Sequence, residues 1–541
     1  MGRHEWSVAM ESWVRAVVLL VAIAAVLGTP LVNDLEPGNE WPDLYSVKQP
    51  SEPEEPAYVE RIEGETTDDP VNAIAEELPP KNVDEIKEEV PQIIARAVED
   101  EKDDKVDYSG AQVWQVSTEK SGVRLILGRL RRRNLIATWS GNHSYVDVLV
   151  KSNAVENVTK LFQRENIDFN IIIDDLQKRI NEENPPLDQN EIELQDRRAR
   201  AYSFWRDRAY HRRVGYIGAY MGYNSLNIPM EYWPNANWGH RMTWKQYHRI
   251  EDIHGFLDYL AKTYPAIVSV KSIGKSYEGR ELKILRISNG QRTNKAVFID
   301  GGIHAREWIS PATVTYLINQ IAENFDEESD EIRNIDWYFL PVVNPDGYEY
   351  THKADRLWRK NRKPTIGTRQ CIGTDLNRNF GYRWGGKGSS SNPCSDIFRG
   401  TRMFSEPESR AVADFITNSA ANFSAYLTYH SYGQYLLYPW GYDNAVPPDH
   451  KDLDLVGKEI AAAIQQAGGT KYTVGSSSGV LYPAAGGSDD WAKGQGIKYS
   501  FTIELSDTGR YGFILPTSFI EPVAKESMAG VRVLAKYLHK T

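Results

Sequence analysis

The chain has 541 residues, of which 41% are hydrophobic and 25% charged, and it carries a net charge of −11. The length exceeds one ordinary domain, so two or more units are expected, and the composition is that of a soluble protein with a sizeable core. The excess of acid argues against nucleic acid as the main partner.

At the N-terminus, Arg15 precedes the apolar run AVVLLVAIAAVLG, residues 16–28. Roughly 13 residues suit a signal-peptide core and are short for a stable membrane span. Val26 and Gly28 offer small residues for cleavage before Thr29. Residues 1–28 therefore read as a signal peptide, with a short membrane anchor as the alternative. Only two cysteines are present, Cys371 and Cys394. In a secreted chain such a pair usually forms one disulfide, whereas two lone thiols would be the cytosolic reading. Sequons at Asn142, Asn157 and Asn422 are compatible with secretion.

Residues 29–105 mix repeated proline with acid, as in SEPEEP and IKEEVPQ. They hold 23 acids against 7 bases, most of the negative charge of the chain. Such a run is expected to be a disordered, solvated segment. Residues 106–183 change character. QVWQVST and YVDVLVK alternate like half-buried strands, VRLILGRL and AVENVTKLF show helical spacing, and FNIII reads as a strand. The order β-α-β-β-α-β implies a small α+β domain of the split βαβ type. Residues 184–242 contain RRAR (197–200), Arg206, Arg208, HRR (211–213) and Arg241 without clean periodicity. An exposed basic link between two patterned domains is where proteolytic nicking concentrates; a solvated basic loop is the alternative.

From residue 243 to 541 strands and helices alternate. AVFID (296–300), DWYFLPVV (336–343), AYLTYH (425–430) and YSFTIEL (499–505) read as strands. Ser310-Pro311 reads as the cap and first position of a helix, and Ser405-Glu-Pro-Glu408 as a capping box. EIAAAIQQAGG ends in a glycine stop, and a last helix spans 523–538. The expected fold class is α/β, a mixed sheet with helices on both faces. In such sheets ligands bind beyond the carboxyl ends of the strands.

That position is where the chemistry-bearing residues fall. His304 and Glu307, in GGIHAREW, follow the strand AVFID, and His430 ends the strand AYLTYH. Two histidines and one carboxylate leave a fourth tetrahedral position on zinc open to water. On spacing alone, a His at a strand end can equally be a satisfied core residue. Asp375, in GTDLNRNF, is a candidate acceptor for the other ring N–H of a ligand histidine. Glu504 ends the strand YSFTIEL, where a carboxylate can move a proton between water and a leaving amine; an ion pair with Arg510 is the bland alternative. Arg306, Arg359 and Arg378 fall near loops and suit carboxylate binding or a developing oxyanion.

From residue 243 onward the chain resembles the secreted zinc carboxypeptidases of the A/B type. The resemblance rests on HAREW, VNPDGYEY, DRLWRKNR, DLNRNF, YHSYGQYLLYPWGY, GGSDDWA and ELSDTGRYGFILP, in that order. It extends more loosely to the inhibitory pro-domain at 106–183 and does not cover the acidic segment; the link looks longer than the family usually has. The resemblance implies an eight-stranded mixed sheet and one Zn2+ per chain held by His304, Glu307 and His430. It implies that Glu504 is general base and acid, and that Arg359 holds the oxyanion. Asn377, Arg378 and Tyr482 would grip the terminal carboxylate of the substrate, with Arg306 and Tyr432 at accessory subsites. It pairs Cys371 with Cys394. Asp489 falls at the floor of the pocket for the terminal side chain, where A-type enzymes carry an apolar residue and B-type enzymes carry Asp. A buried carboxylate there suits a terminal Lys or Arg; local pairing of Asp489, with Asp490 merely repeating it, is the alternative. One departure is Ser506, where the family often has Arg after Glu-Leu.

The expected protein is thus a secreted zymogen of a zinc exopeptidase preferring terminal Lys or Arg. Its partners are peptide or protein C-termini and an activating trypsin-like or furin-like protease. An A-type hydrophobic preference, or a non-catalytic peptide-binding protein on the same fold, are the alternatives.

Overall fold

A computed structural model of the chain describes residues 105–186, 240, 242–365 and 371–540. The expected signal peptide, the acidic segment up to residue 104 and nearly all of the basic link lie outside the described residues. The described residues belong to the larger of two units into which the chain divides, Val47–Thr541.

Strands β1 (Gln112–Ser117), β2 (Ile136–Gly141), β3 (Tyr145–Val150) and β4 (Phe169–Ile173) form an antiparallel sheet in the order β2-β3-β1-β4. The helices Val123–Arg132 and Val155–Arg164 share a core with it through Val123, Leu127, Val158 and Phe162. Trp114 anchors that core, stacked on Phe169 at 4.5 Å and edge-on to Phe162 at 5.8 Å, geometries the ring quadrupole favours. The expected β-α-β-β-α-β order is therefore present. The expected half-burial is not. In β3 every residue but the first is buried. The reason is a second partner: Val113, Leu149 and Ile173 pack with Leu357, Tyr432 and Phe513 of the larger domain. A further helix, Leu176–Glu183, is capped by Asp175, which accepts from the Lys178 amide at 3.0 Å.

The larger domain is an eight-stranded mixed sheet, order β11-β10-β12-β9-β7-β8-β6-β5. Its strands are β5 (Val268–Lys275), β6 (Glu281–Ile287), β7 (Lys295–Asp300), β8 (Ile335–Leu340), β9 (Asn422–Ser431), β10 (Tyr435–Tyr438), β11 (Thr473–Ser476) and β12 (Tyr499–Leu505). β7 runs parallel to β8 and β9, and β9 parallel to β12. Alternate residues of β7 serve opposite faces. Val297 and Ile299 join the core built on helices Ile309–Glu323 and Ile520–Lys540, while Phe298 meets Phe415 of helix Pro407–Asn418 at 6.1 Å. Burial on both faces is why AVFID reads as a continuous apolar run.

Two expected caps do not form. Helix Ile309–Glu323 is capped at Trp308, so Ser310 and Pro311 sit inside its first turn. The Ser310 hydroxyl instead accepts from the Gly302 amide at 2.9 Å and donates to the Tyr429 carbonyl at 2.6 Å. Helix Pro407–Asn418 has Glu406 at its cap with no side-chain bond. Ser405 is held by Asn379 and Glu406, and Glu408 accepts from Asn361. In both cases a tertiary partner outcompetes the local cap. Gly469 does stop the helix His450–Gly468, in the left-handed conformation that suits glycine.

Candidate metal centre and cleft

Three neighbouring parallel strands, β7, β9 and β12, end side by side. In the register of the sheet Glu504 lies directly beside His430, and Asp300 beside Thr428. Adjacent strands stand about 4.8 Å apart, so residues distant in sequence are brought within reach of one another. After β7 the chain must turn at once to present His304. Gly302 makes that turn at φ +63°, and a Cβ there would come within 2.9 Å of Pro311. Glycine is required on both counts.

The turn aims His304 Nδ1 at Glu307 Oε1, 2.8 Å away, and at His430 Nδ1, 3.1 Å away; His430 Nδ1 stands 3.1 Å from Glu307 Oε2. All three residues are buried. Ligands of one tetrahedral zinc at 2.0–2.2 Å stand roughly 3.3 Å from one another. The three donors therefore converge at the spacing such an ion demands, and their chemistry, two imidazoles and a carboxylate, suits zinc. The outer ring nitrogens are also engaged: His304 Nε2 faces Asp375 Oδ1 at 3.1 Å, and His430 Nε2 faces Thr428 Oγ1 at 3.2 Å. Such contacts fix which nitrogen points inward.

Asp375 does more than orient His304. Its Oδ2 accepts from Arg359 Nε and Nη2 at 3.1 and 2.9 Å, which holds the guanidinium at the rim of the centre. Arg378 is fixed by donating to the Gly388 and Asn377 carbonyls. Arg306 is buried with its guanidinium 4.1 Å over the Phe513 ring. Glu504 is half-buried, and burial raises its carboxyl to about 7, with His430 pulling it down and Glu307 adding to the rise. No ion pair joins Glu504 to Arg510 among the described residues. Ser506 is buried and donates to Gln434 Oε1 at 3.4 Å.

His304, Glu307, His430, Arg359, Asn377, Arg378, Tyr432, Tyr482, Asp489 and Glu504 all line one cavity of about 90 Å3. Arg306 lines an adjoining cleft of about 790 Å3, together with Arg359, Arg378 and Tyr482. Asp375 lies behind the centre. Cys371 and Cys394 are joined as a disulfide. The two neighbouring aspartates differ. Asp490 accepts from the Gly441 and Tyr442 amides at 2.8 and 2.9 Å, while the carboxylate of Asp489, 6% exposed, has among the described residues one long hydroxyl contact, from Ser477 at 3.3 Å.

Several residues outside the sequence-based set complete the site. Trp139, Ser140 and Gly141 of β2 line the same cavity. Gly512 lets Trp139 in, since a Cβ there would meet its ring at 2.9 Å. The Tyr432 hydroxyl donates to Asp147 of β3 at 2.7 Å. Glu183 closes the contact below, accepting from Arg356 Nε and Nη2 at 2.6 Å each. These pairs join residues 173 and 285 apart in sequence, which local patterning does not link; the buried face of YVDVLVK is the one trace they leave.

A mixed α/β sheet carrying a His-Glu-His donor set beside a carboxylate and clustered arginines defines a metallohydrolase, here covered by a small α+β domain. Comparison with known proteins gives the family. Residues 253–530 match the zinc carboxypeptidase model and residues 114–183 the carboxypeptidase activation peptide model. The chain is 48% identical over 301 residues to carboxypeptidase B of Astacus astacus, covering 56% of this chain and 99% of that one. It is 34% identical over 441 residues to carboxypeptidase A4 of Mus musculus, covering 80% and 94%. The crystal structure of thrombin activatable fibrinolysis inhibitor superposes with a TM-score of 0.66 at 33% identity, over 80% of this chain and all of that one. The chain belongs to the zinc carboxypeptidase family, of the A/B type, and is built as a zymogen with its activation peptide in place. Its cofactor is zinc. Among the described residues no helix is long and apolar enough to cross a membrane.

Proposed function

We propose that this zymogen is secreted and that, once cut within residues 184–242 by a trypsin-like or furin-like protease, it removes single C-terminal Lys or Arg residues from peptides. The observation that carries the preference is the contrast between the two aspartates. Asp490 is tied to two backbone amides, which leaves Asp489 as the carboxylate facing the pocket. No cation pairs with Asp489 among the described residues. A buried carboxylate without a partner is costly, and a terminal ammonium or guanidinium supplies one.

His304, Glu307 and His430 hold the ion in this reading. When bound, zinc supplies Lewis-acid polarisation of the scissile carbonyl and acidifies water. Glu504, beside His430, takes a proton from the attacking water and returns it to the leaving amine. Arg359, braced by Asp375, donates to the oxyanion as it develops. Asn377, Arg378 and Tyr482 bind the free carboxylate of the substrate, which restricts cleavage to chain ends. Arg306 and Tyr432 contact residues further from the end. Trp139 and Asp147 lie over that path, which supports an inhibitory role for residues 106–183.

The test is Asp489→Ile in the activated protein, assayed on matched peptides ending in Arg and in Leu. Losing a buried ion pair costs about 3–5 kcal/mol, so kcat/KM for the Arg peptide should fall by roughly 10²–10³ while the Leu peptide gains. An unchanged ratio would leave the A-type reading in its place.

A further inference from the structure

One strongly basic surface has no part in the proposed reaction. Helix Val123–Arg132 and the residue after it carry Arg124, Arg129, Arg131, Arg132 and Arg133, all exposed. None pairs with a carboxylate among the described residues; Arg124 donates only to Thr118 Oγ1 and to the Asn142 and His143 carbonyls. Helical spacing sorts them. Arg124 and Arg131, seven residues apart, share a face and, with Arg132, line the 790 Å3 cleft that Arg306, Arg359 and Arg378 also line. Arg129 lies four residues from Leu125, on the same face; Leu125 is 56% exposed. Among the described residues, Asp396 is the one carboxylate that lines this cleft. Like charges this dense repel one another, and an apolar side chain stands open among them.

We propose that this arginine face is the docking surface for the acidic residues 47–104 of the same chain. Charge complementarity is the first argument. Residues 47–104 carry 19 acids and 6 bases, a net of −13, whereas the whole chain is −11, so everything else nets +2. The acids also alternate with apolar residues, as in Ile86, Val90, Ile93 and Ile94, which suit a surface that presents Leu125 between arginines. Reach is the second. The acidic run leads directly into residue 105, and the Val106 amide donates to the Ala354 carbonyl at 2.8 Å, at the seam between the two domains. Fifty-eight residues (104 − 47 + 1) have a contour of up to about 200 Å, longer than a domain of this size is wide. Covalent attachment holds the segment at an effective concentration in the millimolar range, which a separate polyanion does not match.

The test uses the full-length zymogen with Arg131→Lys and Arg132→Lys, exposed changes that keep the charge and introduce amines. Carbodiimide then joins amines to carboxylates already in contact, and peptide mass spectrometry locates the links. The ion pair of Lys160 with Glu156 reports that the chemistry works. The expected result is links from positions 131 or 132 to Asp or Glu within residues 47–104, in the monomer, falling by about fivefold or more in 0.5 M NaCl because exposed pairs are screened. Links confined to carboxylates outside residues 47–104, links between isotopically distinct copies, or no links beside a positive Lys160 control would each overturn the proposal.

Discussion

Replacing Glu183 by Gln should loosen the whole zymogen, because it leaves a buried cation without its counter-charge. Arg356 is 5% exposed and Glu183 2% exposed. The guanidinium is fixed from its own side: it donates to the Arg306 and Phe513 carbonyls at 2.9 and 2.8 Å and lies 3.7 Å over the Trp308 ring. It therefore cannot turn to solvent when the carboxylate is neutralised. Removing one partner of a buried pair costs about 3–5 kcal/mol, and Gln keeps one acceptor, so the lower end, about 3 kcal/mol, applies. For a folded unit of roughly 400 residues the unfolding entropy is near 0.8 kcal/mol/K, which converts this to a Tm lower by about 4 °C. Differential scanning calorimetry of the intact zymogen measures it. If instead only the small domain lets go, the same 3 kcal/mol raises the open fraction about 150-fold, read as peptide hydrolysis before any proteolytic activation. A variant with the parent Tm and no extra hydrolysis would refute the reasoning that this pair holds the two domains together.

Asp147 gives the same contact a pH dependence. Burial raises its carboxyl to about 6, against the hydrogen bonds from Tyr432 and Gln115 and with Asp507 adding to the rise. The folded protein thus binds this proton more tightly than the unfolded chain, whose value is near 3.8. Its contribution is complete below about pH 4 and is lost as pH rises through 6, roughly 3 kcal/mol in all. Asp147→Asn, neutral at every pH, should match the parent zymogen in Tm at pH 4 and exceed it by about 4 °C at pH 7.5; a constant difference across that range would contradict the assignment. Glu504→Gln should keep about one zinc per chain by elemental analysis and lose at least about 10²-fold in kcat. Substantial turnover by that variant would remove Glu504 from its role.

How far the sequence reaches into this molecule follows from the range of each interaction. His304 and Glu307 are three residues apart on one turn, and their pairing is visible in GGIHAREW. His430 and Glu504 become their neighbours only through the register of β9 and β12. Spacing alone leaves both open; only the ordered series of motifs around them connects them to the pair. The strand YSFTIEL and the glycine stop at Gly469 were legible because their cause is local. At Ser310 and Ser405 the local pattern signals caps that do not form, because their hydroxyls bond to Tyr429 and Asn379, which no local pattern contains. The same limit hid Glu183 with Arg356 and Asp147 with Tyr432. The contrast between Asp489 and Asp490 needed the Gly441 and Tyr442 amides, some 50 residues away.

The central claim, zinc-dependent removal of a basic C-terminal residue, is tested most directly on the proteolytically activated chain. Matched peptides ending in Arg, Lys, Phe and Leu are hydrolysed with and without a chelator, and zinc is then restored. The account predicts release of the single terminal residue, with kcat/KM for Arg and Lys at least about 10²-fold above Phe and Leu, abolished by chelation and recovered with zinc. Faster release of Phe or Leu, or turnover that survives the chelator, would contradict it.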